Sequence, residues 1–280
     1  MRGFSFLIYA VLIASVNVHA VRVCTFNMRA PVDGPPNDWA ARKGRMAQVI
    51  VGHECAVVGL QEAQHDTTQD LLGELNARTS GNTSYCLAPF GGVDNAIAFY
   101  CHMAVIDTKE WAISDTPDQI GSNTWGLAYA RTLLFVKLTL SADMRGANKT
   151  MIYVYATHLD IIDALQGRQV DFIADRMRDS YAHDGRVAIV GDFNAGEGSE
   201  AIKKFADLGF EDTLPKDIEP RSTFNGFGGY SGAKIDYVLA TPCAKTANAA
   251  IVRDLVDGQF PSDHAMVMAD VEADYSATTP

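Results

Sequence analysis

The sequence predicts a single α/β domain. Three observations carry that prediction: strand-like and helix-like segments alternate along the chain, 48% of its residues are hydrophobic, and neither repeats nor a Pro/Ser-rich linker interrupt it. In 280 residues that apolar content can build one large core or two small ones. Mean hydropathy is near zero and low-complexity tracts are absent, which excludes a disordered chain.

The elements follow in order. Val21–Met28 reads as a strand. Trp39–Gly52 carries Trp39, Met46, Val49 and Ile50 at helical spacing, and Ala56–Leu60 is a short apolar run suited to a buried strand. Thr67–Arg78 is helical through Leu71, Leu72 and Leu75. Tyr85–Pro89 and Ala96–Tyr100 read as a hairpin. Leu133–Leu140 and Met151–Thr157 are strand-like with a polar turn between them, so they should pair antiparallel. Asp163–Ser180 is a helix with Leu165, Phe172, Ile173 and Met177 inward. Val187–Val190, Ile235–Leu239 and Met266–Val271 read as strands and Glu200–Leu208 as a helix. Asp107–Trp125 shows no clear periodicity and reads as a long loop.

The domain is expected to run from Val21 to about Tyr275, with Ser276–Pro280 as a frayed tail. Residues 1–20 are set aside as a secretory leader. Arg2 supplies the positive end, Phe4 to Val16 is mostly apolar, and Val18-His19-Ala20 fits a small-x-small cleavage site. A secreted or extracellular protein is therefore expected, periplasmic in a Gram-negative host. An uncleaved anchor is the alternative, although the stretch is short for a bilayer. No other segment is long and apolar enough to span one, so a monomer without stable membrane insertion is expected.

Five cysteines (Cys24, Cys55, Cys86, Cys101 and Cys243) follow the leader, and an oxidising compartment favours at least one disulfide with one thiol left over. Cys86 and Cys101 flank a turn-like Gly91-Gly92-Val93-Asp94 between two strand-like runs and are the favoured pair. No C-x-x-C spacing supports a zinc knuckle. Asn82-Thr83-Ser84 and Asn148-Lys149-Thr150 are glycosylation sequons, relevant in a eukaryotic host. The net charge of −11 argues against a nucleic-acid-coating protein. It argues less against an enzyme whose bound metal supplies local positive charge.

Polar residues recur at strand ends. Asn27 ends the first strand, Glu62 follows the second, His158 ends the Met151 strand, and Asp192 and Asn194 follow the Val187 strand. Asp236 lies in Lys234-Ile235-Asp236-Tyr237, and Asp263-His264 precedes the last strand. Taken singly, each reads most simply as a solvated carboxylate, an Asx-turn or a satisfied polar side chain. As a set they place carboxylates, amides and histidines where open α/β sheets bind ligands, a combination suited to a hard divalent cation and proton transfer.

The ordered series Thr25-Phe26-Asn27, Leu60-Gln61-Glu62, Thr157-His158-Leu159, Gly191-Asp192-Phe193-Asn194, Ile235-Asp236-Tyr237 and Ser262-Asp263-His264 resembles the endonuclease/exonuclease/phosphatase superfamily from Val21 to about Val271. Asp38-Trp39 through Arg42-Lys43, Ser114–Asp118, Trp125 with Arg131, and Ser222–Phe227 resemble a secreted or bacterial branch of it. The resemblance implies a four-layer sandwich, two facing mixed β-sheets flanked by helices. It also implies in-line attack of water on phosphorus with Mg²⁺ as cofactor, Mn²⁺ or Ca²⁺ substituting. Glu62 would be the main metal carboxylate, supported by Asn27 and Asp263. Asp192 and Asn194 would orient the water. His264, paired with Asp236, would be general base or transition-state donor, and His158 would donate to the phosphate or leaving oxygen. Asp94 falls where relatives place a carboxylate supporting His158, and Arg131 where they use an arginine on phosphate. One departure is Cys101, where relatives of this branch often carry arginine after Phe-Tyr; a disulfide is the favoured explanation.

Three functions follow. A secreted nuclease acting on DNA or RNA is the leading expectation. A phosphatase or phospholipase acting on small phosphate esters or sphingolipids is the alternative. The third is a binding or effector protein with idle chemistry, disfavoured because none of the core set is missing.

Overall fold

The computed structural model describes residues 20–139, 151–181, 186–242 and 244–273. Residues 1–19 of the expected leader, the sequon at Asn148, Cys243 and the expected tail lie outside them.

The first half contains β1 (Ala20–Asn27), α1 (Trp39–Gly52), β2 (Val57–Gln61), α2 (His65–Asn76), β3 (Tyr85–Leu87), β4 (Asn95–Tyr100), β5 (Ala104–Ala112) and β6 (Thr132–Thr139). The second contains β7 (Met151–His158), α3 (Asp163–Tyr181), β8 (Val187–Asp192), α4 (Glu200–Asp207), β9 (Glu211–Asp212), β10 (Asp236–Ala240), β11 (Ala244–Val252) and β12 (Met266–Ala273). The strands form two six-stranded mixed sheets, ordered β11-β12-β1-β2-β4-β3 and β5-β6-β7-β8-β10-β9. Each sheet has one parallel pair, β1 with β2 and β7 with β8; the remaining pairs are antiparallel. A parallel pair needs a crossover, and α1 and α3 supply it.

The expected sandwich is the observed one, and the strand sequences explain it. Successive side chains point to opposite faces, and here both faces are buried, so the central strands read as continuous apolar runs. In β8, Ala188 and Val190 face the other sheet, where they meet Val57, Ile97 and Val267. Val187 and Ile189 face outward against Val170, Ile173 and Met177 of α3 and Phe205 of α4. In the first sheet, Cys24, Phe26, Val58 and Leu60 pack on Met46 and Ile50 of α1 and Leu71 and Leu75 of α2. On α3 the inward stripe includes Gln166, Gln169 and Val170, while Phe172 is half-buried edge-on to Trp125. The expected β3–β4 hairpin and β6–β7 pair are both present.

The loop reading of Asp107–Trp125 is corrected at its start. Asp107–Ala112 belongs to β5, an edge strand on β6 with a register shift between Val105 and Asp107. Edge strands keep a solvated face and tolerate charge, so β5 shows no apolar alternation. The same holds for β11, unanticipated in the sequence, which carries a bulge between Ala247 and Ala250 and left-handed Asn248. The two-residue β9 has too little sequence to carry a pattern.

Cys86–Cys101 forms, as expected, between β3 and the end of β4. A second disulfide, Cys24–Cys55, ties β1 to the residues before β2 across a separation of 31. Cysteine positions do not determine connectivity, so the sequence could not specify this pair. Asn82 lies exposed in a short turn.

Gly59 sets how closely the sheets approach beneath the strand ends. A Cβ there would lie 2.3 Å from Val190 Cγ2 and 3.4 Å from Ala156 Cβ. Gly59→Ala should therefore force the sheets or Val190 to shift and lower stability by about 1–3 kcal/mol, as overpacking does. Urea unfolding monitored by tryptophan fluorescence checks this; an unchanged midpoint would show that the sheets are not in contact there.

Candidate active site

The two parallel pairs end at the same edge of the sandwich. Asn27 and His158 end β1 and β7, Glu62 follows β2, and Asp192 ends β8. The antiparallel neighbours start there: Asp236 opens β10 in register with Asp192, and Asp263-His264 precedes β12 beside β1. All the sequence-predicted site residues except Asn27 and Asp236 line one cleft of about 480 Å³, and these two lie fully buried behind it.

Asn27 holds the sheets in register. Its amide nitrogen donates to Glu62 Oε1 at 3.0 Å and to Asp192 Oδ2 at 3.1 Å, while its oxygen accepts from the Arg29 N–H at 2.8 Å. Glu62 Oε2 accepts from the Ala30 N–H at 2.8 Å. Arg29, Glu62 and Asn194 all have positive φ, a backbone region uncommon for such side chains and concentrated at functional sites. The β1–α1 loop is held by buried Arg42, which donates to the carbonyls of Met28, Arg29 and Asn37 at 2.6, 2.9 and 2.6 Å. That is the physical role of the Asp38-Trp39 to Arg42-Lys43 motif.

His158 lies between Asp94 and Asn194. Its Nδ1 is 3.0 Å from Asp94 Oδ1, and its Nε2 is 3.0 Å from the Asn194 amide nitrogen, which also donates to the Leu159 carbonyl. An Nδ1–H tautomer satisfies both contacts: it donates to Asp94 and accepts from Asn194. Arg131 Nη1 crowds the same corner, 2.7 Å from His158 Nδ1 and 3.3 Å from Asp94 Oδ1. Nδ1 cannot donate to Asp94 and accept from Arg131 at once, so the carboxylate holds the guanidinium there. Arg131 Nε also lies 3.5 Å from buried Asp160.

His264 Nδ1 is 2.9 Å from Asp236 Oδ2, and its Nε2 is 3.6 Å from Asp192 Oδ2. Burial would push the imidazole down, but Asp236 and Asp192 lift it to about 10. At neutral pH His264 is therefore a charged donor. Burial pushes the Asp236 carboxyl up and the His264 charge pulls it back. Burial would raise Asp192 too, yet His264, His158 and the Asn194 N–H keep it below the usual carboxylate range. Burial also raises Asp263, against the pull of His264 and Arg29, whose Nε lies 3.6 Å away.

The Ser222–Phe227 motif positions this group. Thr223 Oγ1 accepts the N–H groups of Ile235 and Asp236, and Asn225 pins the Asp263 segment through its N–H to the Asp263 carbonyl and its amide to Ser262. In the 113–131 loop, Asp115 accepts from Trp125 Nε1, Thr124 and Arg168.

The residues present fit a divalent cation. Asp94, Asp160, Asp192, Asp236, Asp263 and Glu62 gather around Arg29, Arg131 and His264, an excess of negative charge. Glu62 and Asp263 are hard oxygen donors lining the cleft. Asp192, Asp236 and His264 also place ligand atoms within 4.8 Å of one another. Sequence reasoning gave no site role to Arg29, Val32, Tyr129, Ile161 or Phe224 in the cleft, or to Asp160 behind Arg131. Arg29 and Asp160 adjoin the strand-end motifs and Phe224 lies within the Ser222–Phe227 motif, but Tyr129 lies in a loop with no strand-end signal.

The profile of the Endonuclease/Exonuclease/phosphatase family matches residues 24–264, and the chain belongs to that family. Its members are divalent-metal-dependent phosphoester hydrolases. A mannosyl-6-phosphatase from Bacteroides thetaiotaomicron has a similar structure at a TM-score of 0.77 and 19% identity, covering 90% of this chain and 99% of that one. A conserved protein of unknown function from Enterococcus faecalis is similar at 0.75 and 25% identity, covering 91% and 100%. The catalytic domain of human Nocturnin, solved with a bound sulfate anion, is similar at 0.68 and 20%, covering 90% and 94%. A comparison with curated proteins found no match.

Asp236→Asn removes the largest support for the His264 charge. His264 should then titrate well below about 10, observed by NMR of its ring protons. Because the folded value lies above the unfolded 6.5, the pair stabilises the fold fully below about 6.5 and loses that contribution as pH rises through about 10. An unshifted titration would remove Asp236 from the pair.

Proposed function

We propose that this chain is a divalent-metal-dependent hydrolase of compact phosphate esters, acting by in-line attack of water. One observation carries the reading: a single cleft joins the Glu62 and Asp263 carboxylates with the donors His264 and Arg131, and Asp192 sits within 3.6 Å of both His158 and His264. Glu62 and Asp263 would hold the cation, Mg²⁺ with Mn²⁺ or Ca²⁺ as substitutes, and Asn27 supports Glu62 through its amide. Such an ion neutralises developing charge on the phosphoryl oxygens.

Asp192, held ionised, accepts a hydrogen bond from the attacking water and takes its proton as the new P–O bond forms. The opposite P–O bond breaks, and the alcohol leaves with a proton from solvent. Charged His264 donates to a non-bridging oxygen, with Asp236 fixing its orientation. Arg131 donates to the same phosphoryl group with Asp94 holding it in place, and Asn194, whose amide hydrogens go to His158 and the Leu159 carbonyl, fixes His158 beside Asp192.

Small esters are favoured over nucleic acid by charge and size. The cations lining the cleft, Arg29, Arg131 and His264, are each paired with aspartate, and the whole chain carries −11, so little remains to track a polyanion. About 480 Å³ is within the range of small-ligand clefts, roughly 300–1,000 Å³. The similar Bacteroides structure is named a mannosyl-6-phosphatase. A nuclease is the second reading, supported by the family's name. The leader-like N-terminus and two disulfides support a location outside the cytosol.

A panel of sugar phosphates, supercoiled DNA and sphingomyelin, each with Mg²⁺ or EDTA, tests this. Sugar phosphates should be cleaved only with metal, and His264→Ala should lower kcat/KM at least about a hundredfold. Glu62→Ala should raise the Mg²⁺ concentration needed for half-maximal rate. DNA cleavage without sugar-phosphate turnover would establish the nuclease, and activity that persists in EDTA would refute the site.

A further inference from the structure

Nine large hydrophobic side chains are exposed among the described residues, and four of them, Val32, Tyr129, Ile161 and Phe224, line this one cleft. They come from four loops, after β1, before β6, after β7 and before β10, so no single apolar segment explains the grouping. Tyr129 is 63% and Phe224 40% exposed. Neither ring is loose. Tyr129 lies over the Arg131 guanidinium, with 5.3 Å from carbon to ring centre, and Phe224 packs edge-on to His264 with centres 5.1 Å apart. Each ring is thus held by a group that the proposed mechanism places on the phosphoryl oxygens.

The rest of the substrate must lie against this collar, because it is bonded to the phosphate held by Arg131 and His264. Exposed apolar side chains gathered at one site mark a binding surface, and fixed aromatic faces bind apolar area at low entropic cost. An open-chain polyol offers hydroxyls along its whole length and no flat apolar face. A closed sugar ring offers a face of C–H groups that lies flat on an aromatic side chain. We infer that Tyr129 and Phe224 select phosphate esters whose leaving group is a closed ring, a cyclic sugar phosphate, over open-chain esters of the same alcohol type. This inference rests on the hydrolase reading of the site and adds the class of leaving group.

The test compares methyl hexopyranoside 6-phosphates, whose rings are locked, with hexitol 6-phosphates in the gluco and manno series. Both lose phosphate from the same primary hydroxyl. The Mg²⁺-loaded enzyme should prefer the ring by at least about tenfold in kcat/KM, in line with hydrophobic pocket discrimination. Tyr129→Ala and Phe224→Ala should each bring that ratio toward one, chiefly by raising KM for the ring, whereas Tyr129→Phe should preserve it. No preference in the wild type, or equal losses on both substrates in the alanine variants, would overturn the inference while leaving the hydrolase reading intact. If neither ester is hydrolysed, that reading fails and the collar is judged by calorimetric titration of both esters. Tighter ring binding, lost in Tyr129→Ala, would support it; equal binding would overturn it.

Discussion

A single amide nitrogen joins the two halves of the site. Asn27 ends β1 in one sheet, and its Nδ2 reaches Glu62 in that sheet and Asp192 in the other, at 3.0 and 3.1 Å. Both acceptors are carboxylates, so both hydrogen bonds are charge-assisted and short of one another's repulsion only while the donor stays between them. The carboxylates proposed to hold the metal and to orient the water are thereby held in one geometry, although they come from different sheets. A carboxylate at position 27 would set three like charges where one neutral donor now mediates between two.

The depth of burial gives these contacts their effect. Asp192 and Asp236 are buried and His264 nearly so, and ionisation at such positions survives only with partners. His264 remains charged because two aspartates face it, and Asp192 remains charged because His264 faces it and the Asn194 N–H and Asn27 amide donate to it. Water would weaken every one of these pairings. Gly59 and Gly191 supply the close approach that excludes it. A Cβ on Gly191 would sit 2.0 Å from the Thr157 carbonyl, so the β7–β8 pair could not close beside His158 and Asp192.

The motifs of the branch serve this geometry. Arg42 caps the carbonyls of the loop that delivers Ala30 to Glu62, and Thr223 and Asn225 fix Asp236 and Asp263. None touches a reacting atom, so their value is positional. Tyr129 and Phe224 differ: they face the cleft, and in the proposed reaction their packing on Arg131 and His264 would couple the grip on the leaving group to the grip on phosphate.

Much of this was legible in the chain itself. Doubly buried strands such as Val187–Val190 and helix stripes such as Leu71 and Leu75 announce themselves by composition and period, and the strand-end residues mark the edge where a site forms. The order of those residues brought the family and the sandwich into view. Edge strands β5 and β11 were not legible, because a solvated face imposes no apolar alternation. Nor was the Cys24–Cys55 bridge, since connectivity depends on which distant segments meet. The site's residue list belongs to the sequence. Its working state belongs to the tertiary structure, because only burial and non-local pairing decide that His264 is charged, that Arg131 is shared between Asp94 and Asp160, and that four apolar side chains from separate loops ring one cleft.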